Sequence, residues 1–361
     1  MSHSNSSGQS LIFSAGPAAR REIEANGFRA GKIGTLAGAS GGAKWLALSQ
    51  LDRVVARRVL PRLEGPVHTI GTSIGAWRFA CYAQADPVAA IDRFEGAYLS
   101  QTYSDKPDRE EITSLMREML EFILGENGIQ EILAHPVLRM HVMAVRTRGV
   151  LATENRLALA AGLLAVASAN IASRSLLGHF CDRVLFHDPR DLPPFHAMRG
   201  FPMYHVPMTA DNLSESILAT SAIPLVIAGI RDIDGAPRGM YRDGGVIDYH
   251  LDFPHSHDDK LSLYLHFYNV MTPGWFDKRL SWRTADPVNT DRTLLISPSP
   301  SFVARLPNGK IPDRTDFTTM PPPERERAWR KTVAACREMA DELEEVLEND
   351  SMAERLQPIA S

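Results

Sequence analysis

Several features that would settle the class of this chain at once are scarce in it. Only three cysteines occur in 361 residues, Cys81, Cys181 and Cys336, far apart and odd in number. They fit neither a disulfide framework nor a zinc-ligand spacing, and they suit a reducing compartment, so a cytoplasmic protein is expected. Charge of one sign is not in excess: 39 lysines and arginines face 43 aspartates and glutamates, a formal net charge of −4. That balance offers no electrostatic basis for binding nucleic acid or for strong attraction to anionic membranes. The polar start, Met1 to Ser10, lacks the basic and apolar segments of a signal peptide. The apolar run Leu157 to Ala172 covers about 16 residues, is broken by Ser168 and Asn170, and falls short of the ~20 that a membrane span needs. It reads as a buried helix, with a helix that lines an acyl chain or makes transient contact with a membrane surface as the functional alternative. Hydrophobic residues, by contrast, make up 44% of the chain, enough for a substantial core in one large domain or two smaller ones.

The most informative feature present is Gly71-Thr72-Ser73-Ile74-Gly75, a G-x-S-x-G pentapeptide between the strand-like Val67–Ile70 and a helical segment from Ile74 to Ala85. A serine that attacks a carbonyl must project from a sharp strand-to-helix turn, and glycines two residues away on either side let the backbone make it. At ordinary glycine and serine abundance a chain of this length holds only about 0.1 such pentapeptides by chance.

Two more segments bear on the same chemistry. Gly38-Ala39-Ser40-Gly41-Gly42-Ala43-Lys44 joins the strand-like Ile33–Ala37 to a helical segment from Trp45 to Leu60. A small-residue loop at a helix start presents backbone N–H groups to negative charge, as the oxyanion of acyl transfer requires. A structural glycine turn is the plain alternative; neither G-x-x-x-x-G-K-[ST] nor G-x-G-x-x-G, the two phosphate-loop patterns, is present. Asp243-Gly244-Gly245, after a probable strand, is an acidic residue on a tight turn, and alone would be only a turn.

Together the three segments resemble the patatin-like phospholipase family: a glycine-rich oxyanion loop ending in a basic residue, then the G-x-S-x-G serine, then much later a D-G-[GA] aspartate. A fourth similar block, Ala219-Thr220-Ser221-Ala222-Ile223-Pro224, precedes the aspartate. The resemblance covers roughly residues 30 to 250. It implies a Ser73–Asp243 dyad, backbone donors at Gly41, Gly42 and Ala43, and Lys44 orienting the loop or adding positive field. It further implies a lipid or small acyl-ester substrate and a reaction that needs no cofactor and no metal. Two positions depart from the pattern: Ser40 stands where the first loop glycine is usual, and Trp45 replaces the glycine after the basic residue. Both bear on the shape of the oxyanion loop.

Strand-like stretches (Ile33–Ala37, Val67–Ile70, Leu138–Val145, Met203–Val206, Leu261–Phe267, Thr293–Ile296) alternate with helical ones. That predicts an α/β fold, a three-layer α/β/α sandwich with a largely parallel central sheet, which is also the patatin-like architecture. Ligands in such sheets bind beyond the carboxyl ends of the strands, where Ser73 and the 38–44 loop both fall. The expected organisation is an N-terminal extension over 1–30, a catalytic domain over 31–300 and a C-terminal helix within 321–361 packed on it. Residues 86–128 are helical and either cap the cleft or form a peripheral layer. An apolar stripe through Trp329, Val333, Cys336, Ala340, Leu343 and Leu347 predicts one long helix over 324–348.

Rival designs can be named. His250, Asp252, His255, His257, Asp258 and Asp259 form the densest His/Asp cluster, readable as a solvated loop, a metal site or the source of a triad histidine. An ordinary α/β-hydrolase triad would take its base from His250, His255, His257 or His266 and its orienting carboxylate from Asp182 or Asp188. Against that stand the early position of Ser73, after what reads as only the second strand, and the D-G-G element, which a triad does not call for. Thioester hydrolysis, transacylation and a non-catalytic lipid-binding protein remain alternatives to ester hydrolysis.

Overall fold

A computed structural model describes residues 8–256 and 259–360; residues 1–7, 257, 258 and 361 lie outside it. The described residues form one mixed sheet from β1 (Leu11–Ala15), β2 (Ile33–Gly38), β3 (Val67–Gly71), β4 (Leu138–Thr147), β5 (Cys181–His187), β6 (Met203–Pro207), β7 (Ile230–Arg231), β8 (Met240–Arg242), β9 (Leu261–Leu265), β10 (Thr293–Pro298) and β11 (Leu356–Pro358). Their order is β11-β1-β10-β9-β2-β3-β4-β5-β6, with β8 on the end of β4 and β7 on β8. The central run β10-β9-β2-β3-β4 is parallel throughout. Helices lie on both sides, so the three-layer α/β/α sandwich is the fold. Strands covered on both faces lose the polar–apolar alternation of a half-exposed strand, and every residue of β3, β9 and β10 is buried.

Differences from the sequence expectation have identifiable causes. Leu11–Ala15, within the stretch read as an N-terminal extension, is a buried strand paired antiparallel with β10. Strand β5 went unread because Asp182 and Arg183 interrupt its apolar pattern. Both are buried and neutralised: Asp182 by Arg146 at 2.7 Å, Arg183 by a two-pronged pair with Asp248 at 2.7 Å. The helix expected over Trp45–Leu60 is three tight pieces: a 3₁₀ segment Gly42–Ala47, an α-helix Ser49–Val54 and a π-turn Val55–Val59. The long C-terminal helix is two, Pro322–Ala335 and Arg337–Glu348, meeting at Cys336. Its stripe is buried at Trp329, Val333, Cys336, Ala340 and Leu343.

The run read as a buried helix is the largest departure. Arg156–Ala172 is helical, but Leu157, Leu164 and Ile171 are 84%, 72% and 57% exposed. Residues 157, 164 and 171, seven apart, share its outer face, so the helix is apolar on both sides and covered on one. An all-round apolar pattern carries no mark of which face is covered. No described helix is long and apolar enough to cross a membrane.

A buried polar hub ties the helices beneath the glycine loop together. The Asp52 carboxylate accepts from Trp45 Nε1 at 2.6 Å, Arg78 Nη2 at 2.6 Å, Arg78 Nε at 3.0 Å and Tyr82 Oη at 2.6 Å. Trp45 also stacks on Phe94 with ring centroids 3.9 Å apart. Removing one partner of such a network leaves the other charge buried and unpaired. Asp52→Ala is therefore expected to cost about 3–5 kcal/mol, read from the urea unfolding midpoint. A loss below about 1 kcal/mol would mean that solvent reaches Arg78.

Candidate active site

The carboxyl ends of β2 and β3 lie side by side, with Gly38 opposite Gly71, and this juxtaposition builds the site. The chain leaves β3 through Thr72 and Ser73 and enters the helix Ile74–Tyr82 at once. Ser73 has φ 51° and ψ −127°, a backbone region that residues with side chains rarely occupy. Two contacts hold it there. Its N–H donates to Thr220 Oγ1 at 3.0 Å, and Thr220 in turn donates to the Met143 carbonyl on β4. Gly75 rests directly on the Gly38 carbonyl, where any Cβ would overlap the oxygen.

Asp243 arrives from another direction, one residue beyond β8. Its N–H donates to the Ala222 carbonyl at 3.1 Å, and the Gly244 N–H donates to the Thr220 carbonyl at 3.3 Å. The block Ala219–Pro224 thus clamps both the serine turn and the aspartate turn. Gly244 packs against the Met143 carbonyl, leaving no room for a side chain. The carboxylate accepts from the Gly245 N–H at 2.7 Å and from Ser40 Oγ at 3.3 Å, and it shares a cavity with Ser73, whose hydroxyl also draws its proton affinity down. Burial pushes the Asp243 carboxyl up to about 6, against the downward pull of these hydrogen bonds.

Gly41, Gly42 and Lys44 line a cavity with Ser73 and Asp243; Ala43 is fully buried behind it. The N–H groups of Gly41, Gly42 and Ala43 have no acceptor among the described residues, whereas the next one, on Lys44, bonds the Gly41 carbonyl at 3.3 Å. Lys44 carries its Nζ 5.9 Å from the Phe267 ring centroid, and burial lowers it from the ordinary lysine range.

The histidines are elsewhere. His250 Nδ1 accepts from the Thr272 N–H at 2.8 Å, His255 Nε2 lies 2.7 Å from the Leu251 carbonyl, and His266 Nδ1 lies 2.6 Å from the Tyr268 carbonyl. All three are buried, which holds each below the usual histidine range. No described histidine lines either cavity that holds Ser73. Asp182 and Asp188, the alternative orienting carboxylates, are spent on Arg146 and Arg190. The His/Asp cluster also disperses: Asp252 accepts from Asn289 at 2.8 Å and Asp259 pairs with Lys32 at 2.6 Å. Among the described residues no three His, Cys, Asp or Glu side chains are grouped to hold a metal; His257 and Asp258 lie outside them.

Sequence reasoning named Ser40 only as a departure and quoted Thr220 without a role; it passed over Lys278 and Arg314. Ser40 and Thr220 sat in segments already singled out, so a signal existed. Lys278 and Arg314 lie in loops beyond the last segment of the resemblance and carried none.

Two cavities meet at Ser73. The larger, about 800 Å³, runs under the helices Pro87–Leu99 and Arg109–Leu124 and is walled by Trp77, Phe94, Tyr98, Met116, Met119 and Ile227. The smaller, about 390 Å³, holds Asp243 and the glycine loop.

No protein-family model matches the chain, and no curated protein matches it in sequence. Among solved structures, VipD from Legionella pneumophila is similar at a TM-score of 0.38 and 12% identity, over 95% of this chain and 72% of that one. Human GIVD cytosolic phospholipase A2, solved with methyl gamma-linolenyl fluorophosphonate and terbium chloride, is similar at a TM-score of 0.33 and 10% identity. That match covers 94% of this chain and 62% of the enzyme. Likeness at this level carries no conclusion about activity.

Thr220→Val should leave the Ser73 N–H and the Met143 carbonyl unpaired, lowering stability by about 1–3 kcal/mol in chemical denaturation. Thr220→Ser, which keeps the hydroxyl, should lose much less. A loss in Thr220→Ser as large as that in Thr220→Val would show that the methyl contributes as much as the hydroxyl.

Proposed function

We propose that this protein is a serine hydrolase that cleaves acyl esters of lipids through an acyl-enzyme, with Ser73 as nucleophile and Asp243 as its general base. The observation that carries the reading is the placing of Ser73 and the buried Asp243 carboxylate on one cavity, with the serine on a strained turn that also opens on a large apolar cavity. Ser73 Oγ would attack the ester carbonyl carbon while its proton passes to Asp243. The oxygen, now negative, would be met by the unpaired N–H groups of Gly41, Gly42 and Ala43, with Lys44 adding positive field. Collapse of that intermediate breaks the bond to the alcohol, which leaves with the proton from Asp243. Water then attacks the acyl-enzyme, again giving a proton to Asp243, and the carboxylic acid departs as Ser73 regains its hydrogen.

The 800 Å³ cavity has the size and lining of an acyl-chain pocket, and residues 86–128 would act as its roof. The exposed apolar face of Arg156–Ala172 supports a membrane-surface role. Leu163 of that helix lines the smaller cavity, and no acidic residue occurs from Asn155 to Cys181. In this reading Leu157, Leu164 and Ile171 meet the lipid aggregate and the substrate passes from it to Ser73.

Ser73→Ala and Asp243→Asn should each lower ester turnover by several orders of magnitude without unfolding the protein. His250→Ala, His255→Ala and His266→Ala should keep substantial activity. A folded but inactive histidine variant would replace the dyad with a triad. Because only ionised Asp243 can accept the serine proton, and burial raises its pKa to about 6, kcat/KM should be full above neutrality and fall as pH drops through about 6. Asp243→Asn should abolish that limb along with the rate.

Replacing Leu157, Leu164 and Ile171 together by glutamate should reduce binding to phosphatidylcholine vesicles and turnover of vesicle-borne esters. Hydrolysis of short esters in solution should hold. Undiminished vesicle binding would remove this helix from the membrane contact.

A further inference from the structure

The two cavities that meet at Ser73 are both largely apolar and share Arg314, but differ in their other cations. The larger adds only Arg325, whereas the smaller brings Lys44 and Lys278 to the same serine beside Arg314. None of these three cations forms an ion pair with a carboxylate among the described residues, although the chain pairs Lys310 with Asp316 at 2.6 Å a few residues away. Each is set against an aromatic face instead. Lys278 Nζ lies 3.8 Å from the Tyr249 centroid, Lys44 Nζ 5.9 Å from that of Phe267 and the Arg314 guanidinium 5.9 Å from that of Trp275. Lys44 is half-buried, while Lys278 and Arg314 stand at the solvent side of the chamber.

Three like charges around one small chamber repel one another. Partial loss of hydration in the chamber, then repulsion from Lys44 and Arg314, lowers Lys278 to about 7. Two carboxylates are near. Asp243 already accepts hydrogen bonds from Gly245 and Ser40, and Asp313 faces Lys310 at 3.4 Å. Three cations thus face two carboxylates, Asp243 and Asp313, across the chamber, and none of the three is held in an ion pair with either of them. The chamber adjoins the larger cavity at Ser73, so an acyl chain in the larger one leaves the smaller one for the alcohol half of a bound ester.

We propose that Lys278 and Arg314, with Lys44 behind them, bind a phosphate monoester carried by the leaving alcohol, so that the preferred substrates are acyl esters of phosphorylated alcohols. This rests on the acyl-ester reading of Ser73 and gives that reading its substrate class. A phosphate monoester carries close to two negative charges at neutral pH and several acceptor oxygens, which suits convergent ammonium and guanidinium groups. A phosphocholine head group does not fit as well. The aromatic faces of Tyr249 and Trp275 that a quaternary ammonium would need are already occupied by Lys278 and Arg314. Neutral glycerides leave the cations unanswered.

The experiment compares three esters of one acyl chain: the monoacylglycerol, its 3-phosphate and its 3-phosphocholine derivative. The 3-phosphate should be favoured in kcat/KM by about tenfold or more over both others. That ratio should collapse toward one in the Lys278→Gln/Arg314→Gln double variant, and Lys278→Arg should retain most of it. Calorimetry with glycerol 3-phosphate supplies a readout without turnover, with binding to the wild type and none to the double variant; inorganic phosphate serves as the control for a site that reads phosphate without its alcohol. Equal rates on all three esters, or a preference that survives the double variant, would overturn the phosphate site while leaving the serine esterase intact. Absence of turnover on every ester would instead count against the acyl-ester reading. The phosphate site would then stand or fall on the calorimetry alone.

Discussion

Everything at the site follows from one close approach, the seating of Gly75 on the carbonyl of Gly38. Strands β2 and β3 are parallel neighbours, so their carboxyl ends lie level. The loop after β2 and the helix after β3 must then share a space too small for side chains. Glycine at position 75 lets the helix start within van der Waals contact of the β2 end, which puts Ser73 at the turn and the free N–H groups of Gly41 and Gly42 beside it. The strained backbone of Ser73, costing on the order of 1–3 kcal/mol, is offset by its bond to Thr220, itself anchored to β4. A strained residue persists only where its surroundings over-determine it. Here a helix start, a hydroxyl acceptor and a glycine contact all act on the same turn.

The underside of the loop is held by a different kind of force. Asp52 would be costly to bury alone, but it gathers Trp45, Arg78 and Tyr82 into one satisfied network. Trp45 comes from the segment after the glycine loop and Arg78 from the helix after Ser73, so the network fixes the two halves of the site to each other. That explains why a tryptophan can stand where the resembling family has glycine. Its ring does not crowd the loop; it points into the core, stacks on Phe94 and donates to Asp52. Ser40, the other departure, puts a hydroxyl on Asp243.

Much of this was legible in the chain because the signals were local. Six strands were marked by short apolar runs bounded by glycine, proline or charge, and the parallel sheet followed from their alternation with helices. Ser73, Asp243 and the loop at Gly41 and Gly42 were marked by glycines whose absent side chains are needed for backbone contact. What escaped depended on partners distant in sequence. Strand β5 hid behind Asp182 and Arg183, whose charges are cancelled by Arg146 and Asp248. The outer face of Arg156–Ala172 looked like core because composition does not record coverage. Lys278 and Arg314 reach the chamber on loops after β9 and β10, and nothing in their neighbourhoods distinguishes them from ordinary surface cations.

Among the described residues no histidine lines either cavity, which sets a specific problem for the proposed chemistry. A carboxylate in water is a poor base for a serine hydroxyl, because hydration stabilises its charge. Burial of Asp243 removes much of that hydration and raises its pKa to about 6, while hydrogen bonds from Gly245 and Ser40 help keep it ionised at neutral pH. The two demands pull in opposite directions: more donors would make the carboxylate inert, and fewer would protonate it. Two donors, Gly245 and Ser40, leave the rest of the carboxylate open toward the cavity it shares with Ser73. A fixed carboxylate can take the serine proton without a relay only if the serine turn cannot relax away from it, and that is what the contacts at Gly75 and Thr220 prevent.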